Sequence, residues 1–465
     1  MKDLKTLFMS GKEVLPLVEG GKGVSITTGQ TAGAWANAGG IGTFSGVNAD
    51  SYDENGTIIP QIYKGKTRED KHKELVIHSI RGGVEQARIA HEVSNGNGRI
   101  NMNILWEMGG AEEILHGILS QAKEFIHGIT CGAGMPYKLA EIAAEYKKHY
   151  YPIISSARAF RALWKRSYHK VSDLLGGVVY EDPWLAGGHN GLSNSEDPNV
   201  PENPMPRIVA LRQMMKQFGL DHVPIIMAGG VWFLREWSDF LDNEEVGPIA
   251  FQYGTRPLLT KESPISDEWK RKLLKLKKGD VYLNRFSPTG FYSSAVENDF
   301  LKDLIQRTEQ QVDFSNEANE MFPTPYIYNQ RGRKIFIRSE DLSKIESWVA
   351  KGQTQLIKTP DETAIFVTPE KAQLILKDQQ DCMGCLSACK FSNWSQGEDG
   401  TTGKKPDPRS FCIQKTLQKI SHSSDIDNQL MFAGHNAFKF KADPFYENGF
   451  IPTVKQLVER IMTGD

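Results

Sequence analysis

Short apolar runs alternate with longer stretches of helical pattern through residues 1–300 of this 465-residue chain. Such runs predict buried strands, and apolar residues spaced three or four apart predict helices. The alternation indicates an α/β fold with a parallel sheet and helical crossovers. About eight strand–helix units in about 260 residues favour a closed TIM (β/α)8 barrel. A doubly wound open sheet is the alternative that periodicity leaves open.

The element boundaries follow from these patterns. The predicted strands are 42–46, 100–105, 126–130, 151–155, 176–180, 223–227 and 248–251, and the predicted helices are 67–93, 112–120, 137–147, 157–167, 206–218 and 233–241.

Composition excludes several classes of function. The formal net charge is −2, which gives no bias towards nucleic acid or membrane surfaces. Residues 1–21 lack the apolar core of a signal peptide, and no stretch approaches the roughly 18 apolar residues of a membrane span. We expect a cytoplasmic enzyme without a nucleic-acid or membrane partner. A homodimer is compatible with the sequence, which does not determine the oligomeric state.

Glycine-rich loops follow four of the predicted strands, at 131–136, 181–191, 228–231 and 252–256. In a barrel these loops share the face that carries the active site, and the last loops usually bind a phosphate. Ordinary glycines of strand-to-helix turns are the alternative. The residues predicted to offer backbone N–H groups and one hydroxyl are Gly229, Gly230, Gly254 and Thr255.

His189 is the strongest catalytic candidate. It lies between Gly188 and Asn190, in a loop whose small residues let a ligand approach. An imidazole with an ordinary pKa of about 6.5 moves protons near neutral pH. A histidine hydrogen-bonded within a glycine-rich turn is the alternative. Cys131, at the end of a predicted strand, is a weaker candidate, and we interpret it as a buried apolar residue.

Four of the five cysteines lie close together near the end of the chain. Three of them form a C-x2-C-x3-C run, Cys382, Cys385 and Cys389, and the fourth, Cys412, lies 23 residues further on. Thiolates suit an iron–sulfur cluster or zinc. The asymmetric gaps and the single C-x2-C pair favour iron–sulfur over zinc. Two disulfides would require an oxidising compartment.

Several segments resemble the superfamily of FMN-dependent nitronate monooxygenases (2-nitropropane dioxygenases) and type II enoyl-acyl-carrier-protein reductases. They are GGKGVSITTGQTAGAWANAGGIGTFSG, NMNILWE, TCGAGMP, PIISSARAFRALWKR, AGGHNG, PIIMAGGV and QYGTRPLLTKES. The resemblance covers roughly residues 15–295 and resumes near Cys382. Ordinary nitronate monooxygenases lack the cysteine cluster, so the chain is most similar to acyl-carrier-protein dehydrogenase/isomerases that contain FMN and a 4Fe-4S cluster.

The resemblance implies an FMN-binding barrel and a 4Fe-4S cluster on the four cysteines. It also implies that His189 is the catalytic acid/base and that residues 432–440 return to the flavin site. The implied cofactor-binding residues are Asn103, near the flavin ring, and Gly188, Gly229, Gly230, Gly254 and Thr255.

The implied activity is dehydrogenation or isomerisation of an acyl thioester, carried on acyl carrier protein or coenzyme A. The flavin would accept the hydride. Oxidation of nitronates with oxygen, NAD(P)H-dependent enoyl-thioester reduction and a non-catalytic flavin or cluster sensor are the alternatives. Six basic residues between 270 and 278 predict a docking surface for an acidic acyl carrier protein. A solvated helix end is the simpler interpretation of these charges.

The chain departs from the dehydrogenase/isomerase pattern in its cysteine spacing and in a stretch that looks inserted. The first cysteine gap has two residues where that pattern has three, and the gap before Cys412 is longer. We predict three units: an FMN-binding TIM barrel at 1–298, an inserted α+β subdomain at 299–378, and an iron–sulfur segment at 379–465 whose last helix packs back on the barrel.

Overall fold

Eight parallel strands close into a barrel in the computed structural model, which describes residues 4–329 and 331–464. Each strand pairs with the next one along the chain, and Phe251 of the last pairs with Leu17 of the first. The predicted TIM barrel is confirmed and the open sheet is excluded. The strands are β1 Leu17–Glu19, β2 Ile41–Ser45, β3 Arg99–Leu105, β4 Gly128–Gly132, β5 His149–Ile154, β6 Val178–Glu181, β7 Ile225–Ala228 and β8 Ile249–Tyr253.

Helices follow the strands and surround the barrel. Six are α-helices, namely α1 Gly29–Asn37, α2 Arg68–Ser94, α3 Ala111–Ala122, α4 Leu139–Glu145, α5 Ala157–Arg166 and α6 Pro204–Gln217. The 3-10 helix Leu234–Phe240 follows β7, and the 3-10 helix Arg256–Leu258 and α7 Asp267–Leu273 follow β8. All the predicted elements are present with shifted ends, although the segment predicted as a helix at 233–241 forms a 3-10 helix.

The first strand and the first helix had no counterpart among the predictions. β1 has only three residues, which is too short for a periodic pattern. α1 contains Gly29 and Gly33, and both pack directly against α2. A Cβ atom on Gly29 would lie 2.3 Å from the carbonyl oxygen of Gln86. Glycine therefore lowers the helical propensity of α1 while it allows the close helix–helix contact.

The N-terminal end of the barrel is closed. An antiparallel hairpin, Leu7–Met9 with Lys12–Val14, precedes β1, and its Met9 and Val14 pack with the barrel's interior side chains. Ser10 in the hairpin turn forms a 2.5 Å hydrogen bond with Tyr151 inside the barrel. Only the C-terminal ends of the strands are left for a site.

The chain leaves the barrel through an antiparallel pair, Val281–Asn284 with Ser293–Val296, and Ser293 pairs with His189. Residues 299–380 then add helices and two small sheets around a separate apolar cluster that includes Ile335 and Phe366. The elements are α8 Asp299–Glu309, the strands Gln311–Asp313, Thr324–Ile327, Lys334–Ile337, Gln355–Lys358 and Thr363–Val367, and the helices α9 Leu342–Ala350 and α10 Pro369–Gln380. Dividing the chain at residues 298 and 378 stays a prediction.

The C-terminal part contains the short antiparallel strands Ala388–Cys389 and Trp394–Ser395, three 3-10 helices, and the helices α11 Ile413–His422, α12 Lys439–Ala442 and α13 Val454–Met462. α13 begins with a capping box formed by Thr453 and Gln456, and its apolar side, including Leu457 and Ile461, is buried. It packs against α1. Among the described residues no helix has both the length and the apolar character needed to cross a membrane.

Candidate active site

A cavity opens at the C-terminal end of the barrel. Residues at or just after the ends of all eight strands line it, from Gly20 after β1 to Thr255 after β8. A further wall comes from the C-terminal part of the chain, with Cys385, Ile413 and Leu417 among its residues. No described residue between 299 and 378 contributes to the lining. The predicted location of the site, at the C-terminal face of the barrel, agrees with this cavity.

The loops after β7 and β8, which the sequence predicts to bind a phosphate, form a glycine-lined cradle in the cavity. Gly229 and Gly230 have φ values of +88° and +76°, in the left-handed region that favours glycine. A Cβ atom on Gly230 would lie 2.7 Å from a side-chain carbon of Leu185. A Cβ atom on Gly254 would meet nothing within 4 Å. Gly254 therefore faces open space in the cavity, where a ligand can approach the backbone closely.

The C-terminal segment completes this cradle. The N–H of Gly434 donates to Thr255 Oγ1 at 2.8 Å, and Asn436 Nδ2 donates to the carbonyl oxygen of Gly230 at 2.6 Å. The hydroxyl of Thr255 remains able to donate its own proton to a phosphate oxygen. The cradle is thus built from two loops of the barrel and one distant segment.

A buried ion pair fixes the distant segment to the cradle. Arg256 Nη2 lies 3.2 Å from Asp443 Oδ2, and the two residues are 1% and 3% exposed. Trp232 Nε1 donates to the same carboxylate oxygen at 3.2 Å, and Arg256 Nε donates to the hydroxyl of Tyr446 at 3.2 Å. Thr255 and Arg256 are adjacent, so this network positions the loop that is predicted to bind the phosphate.

Asn103, in β3, lies beside the loop that follows β1. It is 3% exposed and lines the cavity, and its side-chain amide forms no hydrogen bond within the described part of the chain. A Cβ atom on Gly21 would lie 2.3 Å from the Cβ of Asn103, so glycine is required there. A free amide offers both a donor and an acceptor. Together with the space at Gly254 and the left-handed glycines, these groups fit the ring and the phosphate of FMN.

His189 lies in the short strand Gly188–His189, and Gly188 has a φ of +69°. Its Nε2 is 2.6 Å from Ser287 Oγ, which is 2.9 Å from Thr289 Oγ1. The ring of Phe432 meets the imidazole edge-on at a centroid distance of 5.4 Å. Burial lowers the pKa of His189 to about 4, so the imidazole is neutral near pH 7.

Sequence reasoning missed two ionisable residues that line the cavity, Glu181 and Lys22. Burial and the neighbouring Asp182 raise the pKa of Glu181 to about 8. Lys22 Nζ lies 3.3 Å from Glu19 Oε1, and burial lowers the pKa of this lysine. Both residues sit at or just after the end of a strand, which is the signal that identified the glycine loops. Applied to charged residues, that signal would have found them.

The four predicted metal ligands come together beside the cavity. Burial raises the pKa of the Cys385 thiol, and the other three thiols raise it further because a thiolate there would be close to them. Ser392 Oγ donates to Cys382 Sγ at 3.1 Å. All five cysteines are free thiols. Within the described ranges, however, no group of three or more His, Cys, Asp or Glu side chains is arranged to hold a metal ion.

Cys131 in β4 is fully buried in the main apolar core, as interpreted from the sequence. Burial raises the pKa of its thiol. This cysteine contributes to packing rather than to the site.

Comparisons with known proteins agree with this architecture. A model of the nitronate monooxygenase family matches residues 7–368. The structure of FabK from Thermotoga maritima is 15% identical and covers 97% of this chain and 92% of its own, with a TM-score of 0.50. Nitroalkane oxidase from Streptomyces ansochromogenes is 16% identical over 62% of this chain and 79% of its own, with a TM-score of 0.44. A search of the curated proteins finds no match.

The match to the family model spans most of the chain, and the chain belongs to the nitronate monooxygenase family, as the resemblance implied. It is an FMN-dependent oxidoreductase. At 15% identity the likeness to FabK shows the fold alone. The matched residues end before Cys382, so family membership does not account for the cysteine cluster.

Proposed function

We propose that this enzyme oxidises and isomerises an acyl thioester, with His189 as the acid/base. The observation that carries the proposal is the apolar wall that the C-terminal part adds to the cavity. Ile413, Leu417, Ile420 and Met431 all line it. An acyl chain gains about 0.8 kcal/mol for each methylene that it buries on such a surface.

Oxidation of a nitronate is the second candidate, and the name of the family favours it. A nitronate is a small anion, and its binding is helped by a cation. Lys22 is the only lysine or arginine among the described residues of the cavity wall, and it is paired with Glu19. The cavity therefore suits a neutral substrate with an apolar chain better than a small anion.

Bound FMN supplies an acceptor for the hydride that leaves the β-carbon of the thioester. A group of the protein must also remove a proton from the α-carbon. When His189 Nε2–H donates to Ser287 and the Ser287 hydroxyl donates to Thr289, the lone pair of His189 Nδ1 is free to take that proton. Isomerisation of the enoyl product uses the same base: a proton removed from the γ-carbon and returned to the α-carbon moves the double bond from C2–C3 to C3–C4. Enoyl-thioester reduction uses this geometry in reverse.

A panel of substrates tests the proposal. The enzyme is mixed anaerobically with saturated acyl thioesters of N-acetylcysteamine, with nitronates, or with enoyl thioesters plus NAD(P)H, and flavin absorbance is followed. We expect the acyl thioesters to bleach the flavin. Bleaching by nitronates alone supports the second candidate, and NAD(P)H-driven turnover of enoyl thioesters assigns the reductive direction. A flavin that no substrate reduces contradicts every catalytic interpretation and supports a sensor.

We further propose that Cys382, Cys385, Cys389 and Cys412 bind a 4Fe-4S cluster. Support comes from the number of thiols, their common location and the soft ligands that iron–sulfur clusters prefer. No group of described side chains is arranged to hold a metal ion, so the cluster rests on the chemistry and common location of the thiols. No step of the proposed mechanism depends on it.

Iron and sulfide content test the cluster. Protein purified anaerobically should contain both elements, and Cys385→Ser should lose them while it keeps FMN. Its C-terminal segment should also become easier to cleave, because a bound cluster holds the loops that ligate it. Cys131→Ser, at the fifth cysteine, is the matched control and should retain full iron content. One equivalent of zinc without iron or sulfide contradicts the proposal.

An acyl carrier protein is the proposed carrier of the substrate. Three of the six basic residues remain as candidates for docking in the structure. Lys270 is buried, Arg271 lies beside Glu268, and Lys272 lies beside Asp427. The exposed three are Lys275, Lys277 and Lys278. α7, which precedes them, is tied to the cavity wall: Trp269 Nε1 donates to Gln429 at 2.6 Å, two residues before Met431.

Charge reversal tests this docking surface. Replacing Lys275, Lys277 and Lys278 together with Glu should raise the KM for acyl-carrier substrates several-fold, because an acidic carrier is attracted to positive charge. The KM for N-acetylcysteamine thioesters should not change. Lys123→Glu with Lys147→Glu, at the opposite end of the barrel, is the control. An unchanged KM for the carrier substrates would show that these lysines form only a solvated surface.

The lowered pKa of His189 predicts the pH dependence. Turnover that needs the neutral imidazole should fall in acid with an apparent pKa of about 4, well below the ordinary value of 6.5. The folded state should also lose stability as the pH falls from 6.5 towards 4, since the unfolded chain takes up this proton first. An acid limb at 6.5 in the profile of kcat against pH would contradict the burial of this histidine.

A further inference from the structure

Gln414 presents a buried donor that nothing in the described protein accepts. The residue lies in the first turn of α11 and is 1% exposed, and its Nε2 has no hydrogen-bond partner. Its Oε1 accepts from Asn48 Nδ2 at 2.5 Å, and Asn48 Oδ1 accepts from the Ser79 hydroxyl. These two bonds occupy the oxygen of the Gln414 amide and leave its NH2 group free.

The loop after β2 holds α11 at both ends. Asn48 contacts Gln414 in the first turn, and Asp50 Oδ2 lies 2.9 Å from Nε2 of His422 in the last turn. Two such contacts, almost the full length of the helix apart, prevent α11 from rotating. The amide of Gln414 is therefore positioned before any ligand binds.

The residue that carries the free donor lines the cavity. Both Gln414 and Asn48 line it. The Asn103 amide in the cavity wall also lacks a partner, but among the described side-chain atoms that are almost completely buried and unpartnered, Gln414 Nε2 is the only one whose residue lines the cavity. A buried donor without an acceptor destabilises the protein, so natural structures retain few of them without a reason. An acceptor atom on a ligand is such a reason.

We propose that Gln414 Nε2 donates the hydrogen bond that holds the carbonyl oxygen of the acyl thioester. This inference rests on the proposed function. Ile413 and Leu417 on the same helix line the wall on which the acyl chain would lie, which brings a thioester close to the amide. When His189 removes the α-proton, negative charge grows on the carbonyl oxygen. A fixed donor at that oxygen stabilises the charge and favours proton removal.

A matched pair of ligands isolates the carbonyl. One is an acyl thioester of N-acetylcysteamine, and the other is the S-alkyl thioether of the same chain length, which lacks the carbonyl oxygen. Their binding to the FMN-loaded enzyme is measured by titration of flavin absorbance. The variant is Gln414→Met, which keeps the side-chain length and removes the whole amide, both the Nε2 donor and the Oε1 that accepts from Asn48. Gln418→Met, one turn further along α11 and outside the cavity, is the control.

We expect Gln414→Met to bind the thioester about 10-fold more weakly than the wild type while it binds the thioether equally well. The control should behave as the wild type with both ligands. Equal thioester affinity in Gln414→Met and wild type overturns the inference. Loss of FMN from Gln414→Met also overturns it and assigns the donor to the flavin. A wild-type enzyme that binds and converts no thioester refutes the proposed function itself.

Discussion

Replacing His189 with Ala should lower turnover of acyl thioesters roughly 100-fold or more while the protein keeps its fold and its FMN. The imidazole is held by Ser287 and Phe432 and stays neutral because burial lowers its pKa to about 4. Its removal leaves the α-proton without a base. The flavin cradle at Gly229 and Gly254 is built from other residues, so cofactor binding should not change.

His127 provides a matched control for this variant. Burial also lowers its pKa to about 4, but it lies just before β4, at the closed end of the barrel. His127→Ala should therefore keep full turnover. The measurement is single-turnover reduction of the flavin by an acyl thioester under anaerobic conditions, alongside the FMN content of each variant. Equal rates in His189→Ala and wild type would remove this histidine from the mechanism.

Asp443→Asn should lower the free energy of unfolding by about 3–5 kcal/mol, since removing the carboxylate partner of a buried guanidinium has costs of this order. The carboxylate of Asp443 contacts Arg256 and Trp232 at 3.2 Å each. These residues follow the two loops of the phosphate cradle directly. We therefore expect weaker FMN binding as well as lower stability.

Chemical denaturation with and without added FMN measures both effects. Glu69→Gln is the control, because its pair with Lys73 is exposed on both sides and an exposed pair contributes about 0.5 kcal/mol or less. A loss of stability in Asp443→Asn no greater than in this control would show that the buried pair does not hold the C-terminal segment. Unchanged FMN affinity would separate that segment from the cradle.

Patterns in the amino-acid sequence were sufficient to predict the barrel and the half of the site that the barrel supplies. Strand and helix periodicity are local properties, and a parallel sheet places the loop after every strand on one face. His189 and the glycines of the late loops could therefore be assigned to one face before any coordinates were known, and the family resemblance adds Asn103. The sequence patterns did not predict β1, because three residues are too few to show a periodicity. They did not predict α1 either, because its glycines, which contact α2, weaken the helical pattern.

The other half of the site depends on contacts between segments that are far apart in the sequence. The hydrogen bond between Asn48 and Gln414 joins residues that are 366 positions apart. The ion pair between Arg256 and Asp443 joins residues that are 187 positions apart. The partly buried pairing of Lys22 with Glu19 leaves the described part of the cavity wall without a free lysine or arginine, which no spacing in the sequence indicates. Spacing predicts which residues share an element or an edge. Burial, which sets the pKa of His189 and leaves the Gln414 amide without a partner, depends on the packing of segments distant in sequence.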